Sequence, residues 1–159
     1  MYNVLFVCLG NICRSPMAEM IFKDMIRKYK AKDFIHCESR ATSTEEYGNG
    51  MYPKAVQVLQ EHGIPVERNT VNMVKKEDYD KYTYIVCMDK ANYYDLISIF
   101  RGDPEKKVHL LMEFAGRKEE IEDPWYTNRF EEVYNQIEEG CMGLFKVIAF
   151  TNWKKITGQ

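Results

Sequence analysis

Nowhere in this 159-residue chain does an apolar run approach the roughly 20 residues that a membrane helix requires. The opening Met1-Tyr2-Asn3-Val4 enters a strand-like pattern without the basic segment of a secretory signal, so a cytoplasmic protein is expected. Charge of one sign is equally scarce. The 22 Lys and Arg against 24 Asp and Glu leave a net charge of −2, and no basic run interleaves with aromatics. Neither nucleic acid nor an anionic membrane is expected as a partner. Histidines are few, and His36, His62 and His109 stand apart from one another. The five cysteines (Cys8, Cys13, Cys37, Cys87 and Cys141) are odd in number and scattered, which argues against a disulfide framework. Cys8 and Cys13 have neither a second pair nor a local histidine to complete a zinc site, so no metal and no cofactor is expected. The chain also lacks G-x-x-x-x-G-K and G-x-G-x-x-G, the loops that cradle nucleotides. Without an internal repeat, low-complexity tract or linker, the length and the 45% hydrophobic content suit one domain over residues 1–159.

What is present is an alternation of strand and helix signals. Val4-Leu5-Phe6-Val7 reads as a buried parallel strand. A helix follows from Pro16, with Ser15 as its N-cap, through Ala18, Ile21, Phe22, Met25, Ile26 and Tyr29 at three- and four-residue spacing. Phe34-Ile35-His36-Cys37 gives a second strand, and residues 40–53 read as a loop. Helical spacing returns at Ala55, Val58, Leu59 and His62 and stops at Gly63 and Pro65. Residues 84–88 form a third strand, residues 91–100 a helix, and residues 108–111 a fourth strand. A long amphipathic helix then carries Phe130, Val133, Tyr134, Ile137, Cys141, Leu144, Phe145 and Ile148 on one stripe. The order implies an α/β fold, a four-stranded parallel open sheet with helices on both faces. Ligands of such sheets sit beyond the carboxyl ends of the strands.

The turn "VCLGNICRSP", residues 7–16, falls at that edge. Wrapped with its amides inward, the span Leu9, Gly10, Asn11, Ile12, Cys13, Arg14 and Ser15 forms a nest for a dianion. Gly10 tolerates a positive φ, and Asn11 is a non-glycine type that does so. The following helix adds the partial positive charge of its N-terminus. Arg14 supplies a planar fork for two phosphate oxygens. Cys8, at the floor, is surrounded by groups that favour the nucleophilic thiolate, and Ser15 is close enough in sequence to donate its hydroxyl to that sulfur. A thiolate beneath a phosphate implies in-line attack and a cysteinyl-phosphate.

The full string is more specific than C-x5-R-S alone, and through it the chain resembles the low-molecular-weight protein tyrosine phosphatases. The likeness extends to "SRATS" at residues 39–43, His62-Gly63-Ile64, Met88-Asp89 with Asn92, and "EDPWY" at residues 122–126 followed by "FEEVYNQIEEGC". The resemblance implies hydrolysis of phosphotyrosine without a metal. It assigns Cys8 as nucleophile, Arg14 as phosphate clamp, Asn11 and Ser39 as a hydrogen-bonded brace of the loop, and Asp123 as general acid. It also implies that Cys13 can form a disulfide with Cys8 under oxidation, shielding it from irreversible oxidation.

The chemistry itself demands an acid for the departing phenolate, which can then deprotonate the hydrolytic water. Asp103-Pro104 and Asp123-Pro124 both qualify by type. Asp103 lies in a charged link between helix and strand and reads as a solvated turn carboxylate. Asp123 follows the fourth strand on the ligand edge, with Trp125 and Tyr126 beside it to wall a cleft and stack on a substrate ring. Glu45 stands where many relatives have an aromatic wall, which makes that side acidic and less suited to acidic phosphopeptides. Arg40 replaces a small residue, and Arg68 with Thr70-Val71 replace a histidine and an Ala-Arg pair.

Two enzymes on the same loop are alternatives: a phosphoarginine phosphatase, disfavoured by apolar Ile12 where that branch has threonine, and an arsenate reductase, disfavoured by the lack of a second close cysteine pair. A phosphotyrosine-binding module would have no use for a nucleophile beneath the phosphate. The expected protein is a monomer acting on phosphotyrosine proteins and releasing inorganic phosphate.

Overall fold

The apolar run near the start becomes β1 (Tyr2–Cys8), an interior strand of a sheet ordered β2-β1-β3-β4, all parallel. These features come from a computed structural model in which residues 1–67 and 69–151 are described. Arg68, one of the departures noted above, lies outside them.

Side chains alternate along β1. Val4, Phe6 and Cys8 enter one core, while Leu5 and Val7 enter a second on the opposite face. The first core is closed by α1 (Arg14–Lys28) and α6 (Phe130–Thr151), through Met17, Ile21 and Phe22 of the former and Val133, Ile137 and Leu144 of the latter. The second is closed by Leu96 and Phe100 of α4 (Lys90–Phe100) and by Tyr79 of the short α3 (Asp78–Lys81). A strand covered on both faces cannot spare a polar position, which is why residues 4–7 are uniformly apolar. The four-stranded parallel sheet with helices on both faces is as expected.

β2 (Ile35–Ala41) runs four residues beyond the expected strand, because unbroken pairing with β1 from Tyr2–Ile35 to Cys8–Ala41 outweighs the polar character of Glu38, Ser39 and Arg40. β3 (Tyr84–Cys87) and β4 (Val108–Leu110) complete the sheet, and β4 passes into a 3-10 turn, Leu111–Ala115. α2 (Pro53–Glu61) starts two residues before the periodic stretch because Pro53 suits a first helical turn. α3 and the four-residue α5 (Pro124–Thr127) are too short for periodicity to reveal. No described helix is long and apolar enough to cross a membrane.

Helix α1 begins at Arg14, with Cys13 at the cap position and no side-chain cap bond. The expectation of Ser15 as N-cap is therefore corrected: its hydroxyl is drawn to Cys8 instead. Residues 9–13 alone connect β1 to α1, and the first amides of the helix face the end of the strand.

Candidate active site

The loop closes around one sulfur. Cys8 Sγ receives the backbone N–H of Asn11 at 3.2 Å and of Ser15 at 3.4 Å, and lies 3.0 Å from Ser15 Oγ. Asn11 Nδ2 donates to that same Ser15 oxygen at 2.6 Å, which leaves the hydroxyl proton free to point at the sulfur. Asn11 adopts φ 55°, the left-handed turn that brings these amides together. Gly10 is not among the positive-φ residues, contrary to expectation; the turn is carried one position later.

Arg14 is only 3% exposed and is held from behind. Its Nη1 donates to Asp89 Oδ2 at 2.7 Å and to the Ile121 carbonyl at 2.8 Å, and its Nη2 lies 3.7 Å from Asp123 Oδ2. Burial alone would lower the guanidinium's pKa, but the Cys8 sulfur and then Asp89 and Asp123 outweigh it and raise it above the ordinary arginine value. Asp89 is in turn fixed as the N-cap of α4 in a capping box, accepting the Asn92 N–H at 2.8 Å while Asn92 Oδ1 accepts from the N–H groups of Met88 and Asp89.

Above the sulfur opens a cavity of about 70 Å³. It is lined by residues 8–14 of the loop, by Glu45 and Glu46, and by Asp123, Trp125 and Tyr126. Asp123 caps α5, its Oδ1 accepting the Trp125 N–H at 3.0 Å. Trp125 is 50% and Tyr126 79% exposed. The Trp125 indole meets the Tyr52 ring edge to face, with centroids 4.7 Å apart, so it lines the cavity and also packs against the protein. A wider groove of about 720 Å³ is lined mainly by residues of α1, α6 and the 3-10 turn, and no cysteine lines it.

Two expectations about supporting residues are corrected. Asn11 and Ser39 do not brace each other: Ser39 Oγ donates its one proton to Glu19 Oε1 at 2.5 Å, a charged acceptor that outcompetes a neutral amide. Asn11 Oδ1 is left buried without a partner among the described residues. Ser15 does not line the cavity; it is fully buried and supports the sulfur from below. Asp103 is remote from the site and is not a free solvated carboxylate, since Tyr79 OH donates to it at 2.6 Å and the N–H groups of Lys107 and Val108 at 2.8 and 3.1 Å.

Sequence reasoning quoted Asp89 in the family likeness without giving it a role, and did not single out Glu46, Glu19 or Tyr52. Asp89 was the most legible, since "MDKAN" after a strand is a capping box at the ligand edge. The others are set by packing across the chain.

Cys13 is buried, and burial first, then the Cys8 sulfur and Asp123, push its thiol well above the usual cysteine range. Among the described residues no cluster of histidine, cysteine and carboxylates is arranged to hold a metal.

A parallel α/β sheet whose first strand ends in an anion cradle around a buried cysteine defines a class of phosphate-handling enzymes. Residues 3–154 match the model of the low molecular weight phosphotyrosine protein phosphatase family, and the chain belongs to that family. It is a protein-tyrosine phosphatase, a phosphoric monoester hydrolase. The Gallus gallus low molecular weight phosphotyrosine protein phosphatase is 40% identical over 144 residues, covering 87% of this chain and 90% of its own length. YfkJ of Bacillus subtilis, a low molecular weight protein-tyrosine-phosphatase, is 35% identical over 150 residues, 93% of this chain and 96% of its own. The YfkJ crystal structure superposes with a TM-score of 0.91 over 95% of this chain and 96% of that one, at 34% identity. The crystal structure of DARP, drosophila arginine phosphatase, gives a TM-score of 0.80 at 32% identity over 90% of this chain and 95% of that one.

Proposed function

We propose that the protein hydrolyses phosphotyrosine in proteins through a cysteinyl-phosphate on Cys8. The substrate phosphate enters the cavity, where amides of the loop over residues 9–14 and the fork of Arg14 bind its oxygens. Cys8 Sγ attacks phosphorus in line with the phenolic oxygen, and Asp123 gives that oxygen its proton as the P–O bond breaks. Asp123, now a carboxylate, takes a proton from water as the water attacks the cysteinyl-phosphate, and inorganic phosphate leaves with the thiolate restored. Asp89 and the Ile121 carbonyl hold Arg14 in place throughout, and the reaction requires no metal or cofactor. The reading takes the protein to be a cytoplasmic monomer that acts on phosphotyrosine proteins.

The observation that carries this reading is the convergence of two N–H groups and a hydroxyl on Cys8 Sγ, with Asp123 3.7 Å from the guanidinium of the same cradle. Steady-state assay on phosphotyrosine, phosphoserine and phosphoarginine peptides without metal tests it. Phosphotyrosine is expected to be the preferred substrate. Turnover is expected to vanish in Cys8→Ser, to fall about 10²- to 10⁴-fold in Asp123→Asn, and to persist in Asp103→Ala.

A second reading, phosphoarginine hydrolysis, is favoured by the likeness to DARP. Ile12, an apolar lining residue, speaks for the aromatic ester. A dominant phosphoarginine rate would replace the first reading with the second, and tight phosphopeptide binding without turnover would leave a reader of the mark.

A further inference from the structure

Tyr52 occupies the N-cap of α2, the position where Ser, Thr, Asp or Asn would satisfy the first helical amides, and it makes no side-chain cap bond. Its groups are engaged elsewhere. The backbone N–H donates to the Ile12 carbonyl of the phosphate loop at 2.9 Å. The ring stacks on Phe130 in the first turn of α6, with centroids 5.9 Å apart, and meets Trp125 edge to face at 4.7 Å. Trp125 is the residue whose N–H grips Asp123 Oδ1 at 3.0 Å. One residue thus touches the loop that would hold the phosphate and the segment that would carry the acid, two parts more than a hundred positions apart in the chain.

We propose that Tyr52 is a positioning residue that sets the acid segment against the phosphate loop. Its main chain anchors the loop at Ile12. Its ring, seated on Phe130, fixes the indole of Trp125 and through the adjoining amide the aim of the Asp123 carboxylate. The half-exposed Trp125 has no hydrogen bond through its indole nitrogen among the described contacts, so ring packing is what holds it. This inference rests on the assignment of Asp123 as general acid.

The test is kcat/KM across a series of aryl phosphates whose leaving phenols range from strongly acidic to tyrosine-like, for wild type, Tyr52→Ser, Tyr52→Phe, Trp125→Ala, the Tyr52→Ser/Trp125→Ala double variant and Asp123→Asn. kcat/KM reports the steps through transfer to Cys8, where the acid acts. Ser keeps the backbone anchor and caps α2 better than Tyr, so Tyr52→Ser remains folded. It is expected to lose about 10-fold on the most basic leaving group and less than about 2-fold on the most acidic, because a misaimed acid matters only where a proton is needed. Inhibition by inorganic phosphate should stay within about 2-fold of wild type, since the cradle itself is unaltered. Tyr52→Phe should restore the wild-type slope, and the double variant should lose no more than Trp125→Ala, as expected for coupled neighbours.

Equal losses across the series, or additive losses in the double variant, would overturn the role of Tyr52. If Asp123→Asn steepens the dependence while Tyr52→Ser follows wild type, the positioning role alone fails. If Asp123→Asn itself leaves the slope unchanged, the acid assignment falls and the inference falls with it.

Discussion

Ser39 shows how far a residue's partner can depart from its place in a motif. Its hydroxyl belongs to Glu19, which is 6% exposed and also paired with Lys23 Nζ at 2.6 Å. Ser39→Ala would leave a buried carboxylate short of one donor, at a cost of about 1–3 kcal/mol in stability measured by urea unfolding. Its kcat should stay close to wild type; a collapse of kcat with unchanged stability would restore the loop-bracing role. Cys13 carries a second prediction at this scale. In the redox role expected of it, peroxide would convert Cys8 to a sulfenic acid with release of one hydroxide equivalent, and the Cys13 thiol would then displace water to form a disulfide that dithiothreitol reduces. After peroxide exposure long enough to carry an unprotected sulfenic acid on to the irreversible sulfinic acid, wild type should regain activity with dithiothreitol and Cys13→Ser should not; equal recovery of both would remove Cys13 from the redox role.

At the scale of elements, two contacts hold parts of the fold together without touching the chemistry. Asp103 ties α3 to the link between α4 and β4. Burial alone would raise its carboxyl, but the Tyr79 hydroxyl and the Lys107 and Val108 amides hold it below the usual aspartate value. Burial first, and then the hydrogen bond to Asp103, push Tyr79 up to about 12. A lowered folded pKa means stability that is present above the unfolded value, about 3.9, and lost as pH falls through the lower folded value. The Tm deficit of Asp103→Asn should therefore be widest near neutral pH and shrink below about pH 4.

The second contact is α6 against the 3-10 turn. A Cβ at Gly143 would lie 2.1 Å from the Phe114 carbonyl oxygen, and one at Gly140 would lie 2.5 Å from Leu111 Cγ. Alanine at position 143 gains up to about 1 kcal/mol in helix propensity. The clash with backbone, about 1–3 kcal/mol or more, exceeds it, so Gly143→Ala should lower Tm despite the better helix former.

Across the whole molecule the net charge is small, so electrostatic selection must come from local placement. Glu45 and Glu46 line the cavity, and Arg14, which also lines it, is buried. Phosphotyrosine peptides flanked by lysine should show a KM a few-fold below those flanked by aspartate, a contrast that weakens with salt because screening sets in over about 10 Å at 0.1 M. Glu45→Gln should narrow the contrast at low salt. If the two peptides have the same KM at low salt, the glutamates do not select substrate.

The sequence by itself determined the alternation of strands and helices, the placement of the loop after β1, and the identity of the groups in it. Apolar runs, helical periodicity and a C-x5-R-S turn are local, and each is written within fewer than about 20 consecutive residues. Its limits follow from the same fact. The short α3 and α5 contain too little period to be read, and β2 extends through polar residues only because β1 lies beside it. The partner of Ser39, the anchoring of Arg14 by Asp89 and Ile121, and the bridge from Ile12 through Tyr52 to Trp125 were decided by tertiary structure alone. Hydrogen bonds and ring contacts are satisfied by whichever groups packing brings within a few ångströms, and here packing joins residues 20 to more than 100 positions apart.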